Sequence, residues 1–308
     1  MAKEAKAFFN GQKVSLKDAK VGIMTHALHY GTAVFEGIRG NWNNEKNALS
    51  IFRMKEHYQR LLDGCKLMMI DLPYSCEDLC NITTELIKKS GYKEDVYIRP
   101  LAYKSAEIVA NLKLQDLESN FCLIVIPFGK YLTTDHLRCC TSAWRRIDDT
   151  MIPPRFKISG IYVNSILAKT EATLAGFDEA ILLNSDGHVC EGTGENLFLA
   201  KDNMLHTPSL SENVLPGITR NTIINLAKNE LNIPVIERSI DRSEIYVAEE
   251  CFLTGTAAHV TAVTEIDRRQ IGQSESIGPI TKLLQGHYFE IVKGNNNKYL
   301  DWCSLITV

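Results

Sequence analysis

The nine cysteines of this 308-residue chain contain no CxxC pair, so neither a zinc ribbon nor a thioredoxin-like motif is indicated. They stand singly or, at Cys139 and Cys140, as neighbours, and nine free thiols suit a reducing compartment. Most read as small buried hydrophobes. No apolar run is long enough to span a bilayer, and the start, MAKEAKAFFNGQKV, has no apolar signal region. The formal net charge of -3 gives no electrostatic case for nucleic acid or a membrane surface as a partner. No lysine follows a glycine loop in the Walker A pattern, and no GxGxxG opens a helix, so a nucleoside triphosphate or a dinucleotide is not the natural ligand. Internal repeats and low-complexity tracts are also missing. What is present is an ordinary globular composition, 45% hydrophobic and 23% charged, in a cytosolic chain long enough for two domains.

The hydrophobic pattern gives a coarse map. AFFNGQKV reads as a hairpin turning at Asn10-Gly11. Lys55 to Met69 reads as a helix with Leu61, Leu62, Cys65, Met68 and Met69 on one face. A second helix starts at Ser75, with Asp78 completing a capping box, and stops at Gly91. DVYIRPLAY and NFCLIVIPF read as strands, the second apolar enough to be buried on both faces. Residues 1–127 form a small N-terminal domain, FGKYLTTDHLR, residues 128–138, is a linker, and residues 139–308 form a larger C-terminal domain. In the latter, Ile161 to Leu174, Thr219 to Leu231 and Pro279 to Val292 read as helices. EAILLNSDGHVCEG reads as a hairpin at Asp186-Gly187, and CFLTGTAAHVTAV as strand, loop, strand. Strands and helices do not alternate strictly, which predicts α+β domains and not a doubly wound sheet.

Four features carry chemistry. Lys157, in PPRFKISGIYVNS, sits where a strand ends and a helix opens, and a lysine in a cleft there is a candidate nucleophile, although a lone lysine is usually a solvated charge. LPGITRNTI offers backbone N–H groups at Gly217, Ile218 and Thr219 where a helix dipole favours an anion. TGTAAH, Thr254 to His259, is a second small-residue loop of the same kind. HVCEGTGENLFL places Glu191 and Glu195 beside the tight Gly192–Gly194 turn, where they would repel a phosphate and call for a positive group. His26 and His29 have metal-ligand spacing but no third ligand, so a metal is rejected. A cofactor with an aldehyde, a phosphate and a basic ring nitrogen uses the whole set: pyridoxal 5′-phosphate, with its pyridinium on Glu191.

HALHYGTAVFEGIR, EHYQRLLDGCK, YIRPL, SAWRR, EGTGENLF, LPGITR and GTAA, in this order, make the chain resemble the class IV (fold-type IV) aminotransferases. Within them it is similar to bacterial branched-chain amino-acid aminotransferases, nearly end to end. The resemblance implies an α+β fold of a small N-terminal α/β domain and a larger C-terminal pseudo-barrel domain, assembled as a homodimer or a hexamer (a trimer of dimers). It implies that Lys157 forms the Schiff base, Glu191 meets the pyridine nitrogen and Tyr162 bonds the ring hydroxyl. Arg60, Gly217, Ile218, Thr219 and Thr256 would hold the phosphate. Tyr97, with the backbone of Thr256 and Ala257, would take the substrate α-carboxylate. Arg99, Tyr30 and Tyr131 would receive the distal carboxylate of glutamate, and Phe35 and Phe128 would wall the apolar pocket. The implied reaction is ping-pong transfer from L-leucine, L-isoleucine or L-valine to 2-oxoglutarate. Its alternative on the same fold is a D-amino-acid aminotransferase or an aminodeoxychorismate lyase.

Overall fold

The computed structural model of the protein describes residues 5–129, 136–272 and 276–308. The backbone groups into two units, the first Met1–Gly129 with Phe156–Gly160 and Glu290–Val308, the second Lys130–Arg155 with Ile161–Phe289. This differs from the expected linear division at 127 and 139. The final strand returns to the first unit because Cys303–Thr307 pairs antiparallel with Ala48–Phe52. The short segment around Lys157 belongs there too. The end of the expected linker is already strand from His136, and residues 130–135 lie outside the described residues.

The chain order is β1 (Lys6–Phe9), β2 (Gln12–Ser15), α1 (His26–Tyr30), β3 (Ala33–Phe35), β4 (Ile38–Asn43), β5 (Ala48–Phe52), α2 (Met54–Leu67), α3 (Cys76–Ser90), β6 (Val96–Lys104), β7 (Ser119–Pro127) and β8 (His136–Arg145). Then come α4 (Tyr162–Leu174), β9 (Glu179–Leu183), β10 (Asn196–Lys201), β11 (Met204–Pro208), α5 (Ile218–Asn229), β12 (Val235–Arg238), β13 (Glu250–Gly255), β14 (His259–Ile266), β15 (Arg269–Gln270), α6 (Pro279–Val292) and β16 (Cys303–Thr307). The α+β class expected from the pattern is what these elements form.

The first unit carries an antiparallel sheet in the order β16-β5-β4-β6-β7-β1-β2, with β3 joined to β6. Asn10 (φ 51°) and Gly11 (φ 75°) supply the two left-handed residues that a tight hairpin turn needs. Ser75 and Asp78 form the capping box of α3, and Gly91 ends that helix at φ 62°. β7 is not buried on both faces: Phe121, Leu123 and Val125 are buried while Cys122, Ile124 and Ile126 between them are half-exposed. The packed face of α2 is Met54, His57, Tyr58, Leu61, Gly64 and Cys65. Met68 and Met69 fall outside the helix, and Met69, at φ 51°, is exposed, so those two do not extend the apolar stripe.

The second unit carries a mixed sheet, β12-β11-β10-β13-β14-β8-β9, with β15 on β14. The pairs β11/β12, β14/β8 and β8/β9 are parallel. Phe198 and Phe252 lie directly opposite on β10 and β13 with rings stacked at 5.0 Å. α4 sets the small residues Ala168 and Ala172 against Ala180 and Leu182 of β9.

Candidate active site

In the first unit the site is built on β3 and β6. The lysine segment adds to the edge of β3: the Phe35 N–H donates to the Lys157 carbonyl at 3.0 Å, and Ile158 bridges Val34. Two glycines allow the approach. The Gly160 N–H donates to the Gly31 carbonyl, and a Cβ on Gly31, already at φ 66°, would stand 2.7 Å from the Gly160 Cα. Lys157 therefore follows no regular strand; it lies beside the Val34–Ile158 bridge, with its Nζ 5.6 Å from the Phe35 ring centre.

Tyr97 and Arg99, two apart on β6, project to the same half-exposed face. The Arg99 Nη2 donates to the Tyr97 hydroxyl at 2.7 Å, and its guanidinium lies 4.4 Å over the Phe35 ring. The buried Arg99 Nε has no hydrogen-bond partner, and no carboxylate among the described residues pairs with this arginine. A Cβ on Gly37 would overlap the Tyr97 hydroxyl, which accounts for the glycine of the FEG triplet. Phe128 sits 4.9 Å from Tyr97 and under Arg39. Phe35, Tyr97, Arg99, Phe128 and Lys157 are thus linked through one group of contacts. Tyr30 is not in that group: it stacks on His26 at 4.4 Å, accepts the Ala110 N–H and is exposed. Tyr131 lies outside the described residues. His26 and His29 are tied to Thr32, Asn111 and Ile23.

Arg60 is gripped from behind. Its Nε and Nη2 bind the two oxygens of Glu36 at 2.6 and 2.9 Å, and the His57 Nδ1–H donates to the same carboxylate at 2.8 Å. Burial alone would raise the Glu36 pKa, but the charge of Arg60 and the His57 bond hold it well below the usual carboxylate range. Burial drives the His57 pKa below its ordinary value, against the pull of the Glu36 bond.

In the second unit Glu191 is buried and well supplied. Its Oε1 accepts from Arg146 Nη2 at 2.8 Å, and its Oε2 from Asn196 Nδ2 at 2.9 Å and the Leu215 N–H at 3.0 Å. Gly217 is the N-cap of α5 and brings no capping side chain; Ile218 and Thr219 begin the helix, with the Thr219 hydroxyl 3.4 Å from that of Tyr288. A side chain on Gly217 would collide with the Asn196 Oδ1. Thr256 and Ala257 lie in the turn between β13 and β14, and Tyr162 is the first residue of α4. Glu195, in the same loop as Glu191, is equally buried, but its carboxylate accepts only the Gly194 N–H among the bonds described, at 3.1 Å. Burial, with Glu179 nearby, pushes its pKa up to about 8.

The sequence marks Lys157, Glu191 and the start of α5 by their context, and Arg60 and Arg99 through the family resemblance, but not Glu36, His57, Arg146 and Asn196. The signals were present: His57 and Arg60 share a helix face three apart, and Arg146 and Asn196 lie in SAWRR and EGTGENLF.

The family model for amino-transferase class IV matches residues 33–266. A probable branched-chain-amino-acid aminotransferase of Aquifex aeolicus (strain VF5) is 52% identical over 297 residues, 96% of this chain and 95% of that protein. The crystal structure of a branched-chain aminotransferase from Thermoproteus uzoniensis with norvaline superposes with a TM-score of 0.93 at 42% identity, covering 98% of this chain and 99% of that one. The enzyme of Thermobaculum terrenum in its PLP form superposes with a TM-score of 0.93 at 36% identity over 99% of both chains.

Proposed function

The chain belongs to the amino-transferase class IV family, and from that premise we propose that it transfers the amino group of L-leucine, L-isoleucine or L-valine to 2-oxoglutarate, with pyridoxal 5′-phosphate as cofactor. The products are branched-chain 2-oxo acids and L-glutamate. One observation carries the reading: a buried, ion-paired carboxylate, Glu191, hydrogen-bonded to the chain that leads into the N-terminus of α5. A basic ring nitrogen and a phosphate on one molecule fit that pair. When bound, the cofactor supplies an aldehyde that takes over the amino group and a ring that accepts the electron pair of a broken Cα–H bond.

Each residue then has a task. Lys157 would hold the cofactor's aldehyde, and its amine, when free, would be the base for the substrate's Cα proton. Glu191 accepts the ring N–H, and Tyr162 donates to the ring hydroxyl. Gly217, Ile218, Thr219 and Thr256 offer N–H and hydroxyl donors to the phosphate, with Arg60, its guanidinium plane fixed by Glu36, adding charge. Tyr97 with the backbone of Thr256 and Ala257 receives the α-carboxylate. Phe35 and Phe128 accept the apolar branch, and Arg99 with Tyr131 accepts the distal carboxylate, Tyr30 being held apart from Arg99 by His26 and the Ala110 N–H. The stacking of Arg99 on Phe35 supports a pocket that serves both substrates in turn.

The assembly is a homodimer or a hexamer of three dimers. Ile23, Met24, Leu28, Ile108 and Leu112 are exposed on neighbouring stretches joined by the Thr25–Glu107 bridge, and a second copy is the occupant that would cover them. No helix of the described residues is long and apolar enough to cross a membrane, and all nine cysteines are free thiols, which suits the cytoplasm.

The test is spectroscopic. The purified protein is mixed with L-leucine and no oxo acid, and the visible cofactor band is followed; the run is repeated with D-alanine. Bleaching by L-leucine alone, reversed by 2-oxoglutarate, is the expected result. Bleaching by D-alanine would move the protein to the D-amino-acid branch, and absence of the band after adding pyridoxal phosphate would overturn the enzyme reading.

A further inference from the structure

Glu191 and Glu195 are four residues apart in one loop and almost equally buried, at 5% and 6% exposure, yet they are treated in opposite ways. Glu191 receives a guanidinium and two N–H donors. Glu195 receives one backbone N–H and has Glu179, itself committed to Lys169, as its charged neighbour. An unpartnered carboxylate at such a position takes up a proton, because desolvation disfavours the charged form. Burial, with Glu179 nearby, pushes Glu195 that way, its pKa up to about 8, and Glu191 would follow if Arg146 were absent. A protonated Glu191 could donate to a ring nitrogen but could not stabilise a pyridinium.

The same contacts tie three separate parts of the chain together. Arg146 follows β8 and also donates from Nε to the Asn213 carbonyl at 3.2 Å. Asn213 in turn donates to Asp148 at 3.0 Å. Asn196, the first residue of β10, divides its amide between Glu191 and the Leu215 carbonyl, both at 2.9 Å. The segment before α5 is therefore fastened to Glu191 through a side-chain amide and a guanidinium, besides its own Leu215 N–H. The distance between the carboxylate and the first turn of α5 is set by these side chains.

We propose that Arg146 and Asn196 are positioning residues: Arg146 keeps Glu191 in its charged form, and Asn196 fixes that carboxylate relative to the start of α5. The inference rests on the cofactor assignment above. Among the contacts described, the charged and titratable groups acting with Glu191 include Arg146, Cys190 on its own loop and Glu195 across the glycine turn.

The experiment uses holoenzyme reconstituted with ring-15N-labelled pyridoxal phosphate. The ring nitrogen of the parent should resonate at the pyridinium position. In Arg146→Met it should move to the free-base position, and Arg146→Lys should restore the parent shift. Arg146→Gln, shorter but still a polar N–H donor without the charge, gives the same readout should the methionine variant fail to fold. Asn196→Ala should leave the nitrogen protonated but weaken cofactor affinity roughly tenfold, the cost of about one hydrogen bond. A parent-like resonance in both uncharged Arg146 variants, or unchanged cofactor affinity in Asn196→Ala, would overturn the respective role. A parent that binds no cofactor, or binds it without a pyridinium signal, would instead sink the cofactor assignment.

Discussion

Each unit of this protein buries a glutamate against an arginine, and the two pairs are used in opposite senses. In the first unit the glutamate is the deeper partner: Glu36 is 1% exposed, and Arg60, at 12%, is the member assigned to the phosphate. In the second unit the two side chains are equally deep, at 7%, and the glutamate is the member proposed for the ring nitrogen, with Arg146 as its support. A buried ion pair is a poor source of net stability, since desolvation cancels most of the attraction. What it provides is a charge of chosen sign, at a fixed angle, that cannot be neutralised by a proton. The comparison predicts that removing a supporting member disturbs the fold or the charge state, whereas removing a working member disturbs the chemistry.

The largest expected effect comes from the supporting side of the first pair. Glu36→Gln would remove the buried carboxylate that Arg60 and His57 share, and the unfolding free energy should fall by about 3–5 kcal/mol in denaturant titrations. The pH dependence has a definite sign. The folded-state pKa of Glu36 lies below its ordinary value of 4.5, so its contribution is present above that value and is lost as the pH falls further. The parent should therefore lose stability on acidification more steeply than the variant. Equal slopes would mean that the Arg60–Glu36 pair does not hold in solution.

The working side of the second pair comes next. Glu191→Gln keeps the shape and the Asn196 contact but removes the charge. The rate of Cα proton loss should drop about 10²- to 10³-fold, the scale of deleting one electrostatic contact to developing charge, in addition to the stability lost when buried Arg146 loses this carboxylate. This is measured by single-turnover bleaching with L-leucine. A loss of stability on the scale of the Glu36 variant with normal turnover would erase the contrast between the pairs.

Glu195 sharpens the contrast because it has no such cation. Its folded-state pKa of about 8 is raised from an ordinary 4.5, so its contribution is fully present below 4.5 and is lost as the pH rises toward 8. Glu195→Gln should remove a slope of up to about 1.4 kcal/mol per pH unit across that window. Stability curves of the two proteins that run parallel from pH 5 to 8 would show that Glu195 ionises as readily as a surface carboxylate.

How much of this was legible in the sequence follows the same division. Working residues announce themselves by type and context: a lysine after two prolines, an acid in a glycine turn, an LPGITR helix start. Their supports do not, because Glu36 and Arg60, or Arg146 and Glu191, meet only after the sheets have formed. The α+β class and the α3 boundaries were readable from local caps and periodicity. The burial of β7 was not, since an unbroken apolar run in NFCLIVIPF does not reveal that one face of its sheet stays half-open. Nor could local pattern show that the segment around Lys157 and the terminal strand return to the first unit, which depends on pairings with β3 and β5.

The smallest effect tests an arginine that belongs to neither pair. Arg99 has no carboxylate among the described residues, rests on Phe35 and Tyr97 and keeps a buried Nε without a partner. An arginine so placed has attraction left for an anion that arrives with a substrate, while its stacked faces remain compatible with an apolar branch. Arg99→Met should preserve that apolar contact and delete the charge. The KM for 2-oxoglutarate should rise about tenfold or more, as expected from losing one charge-assisted interaction, while bleaching by L-leucine changes less than about twofold. The split between the two half-reactions is the diagnostic. If both slow equally, Arg99 serves as packing for Phe35 and Tyr97, and the distal carboxylate must be received elsewhere.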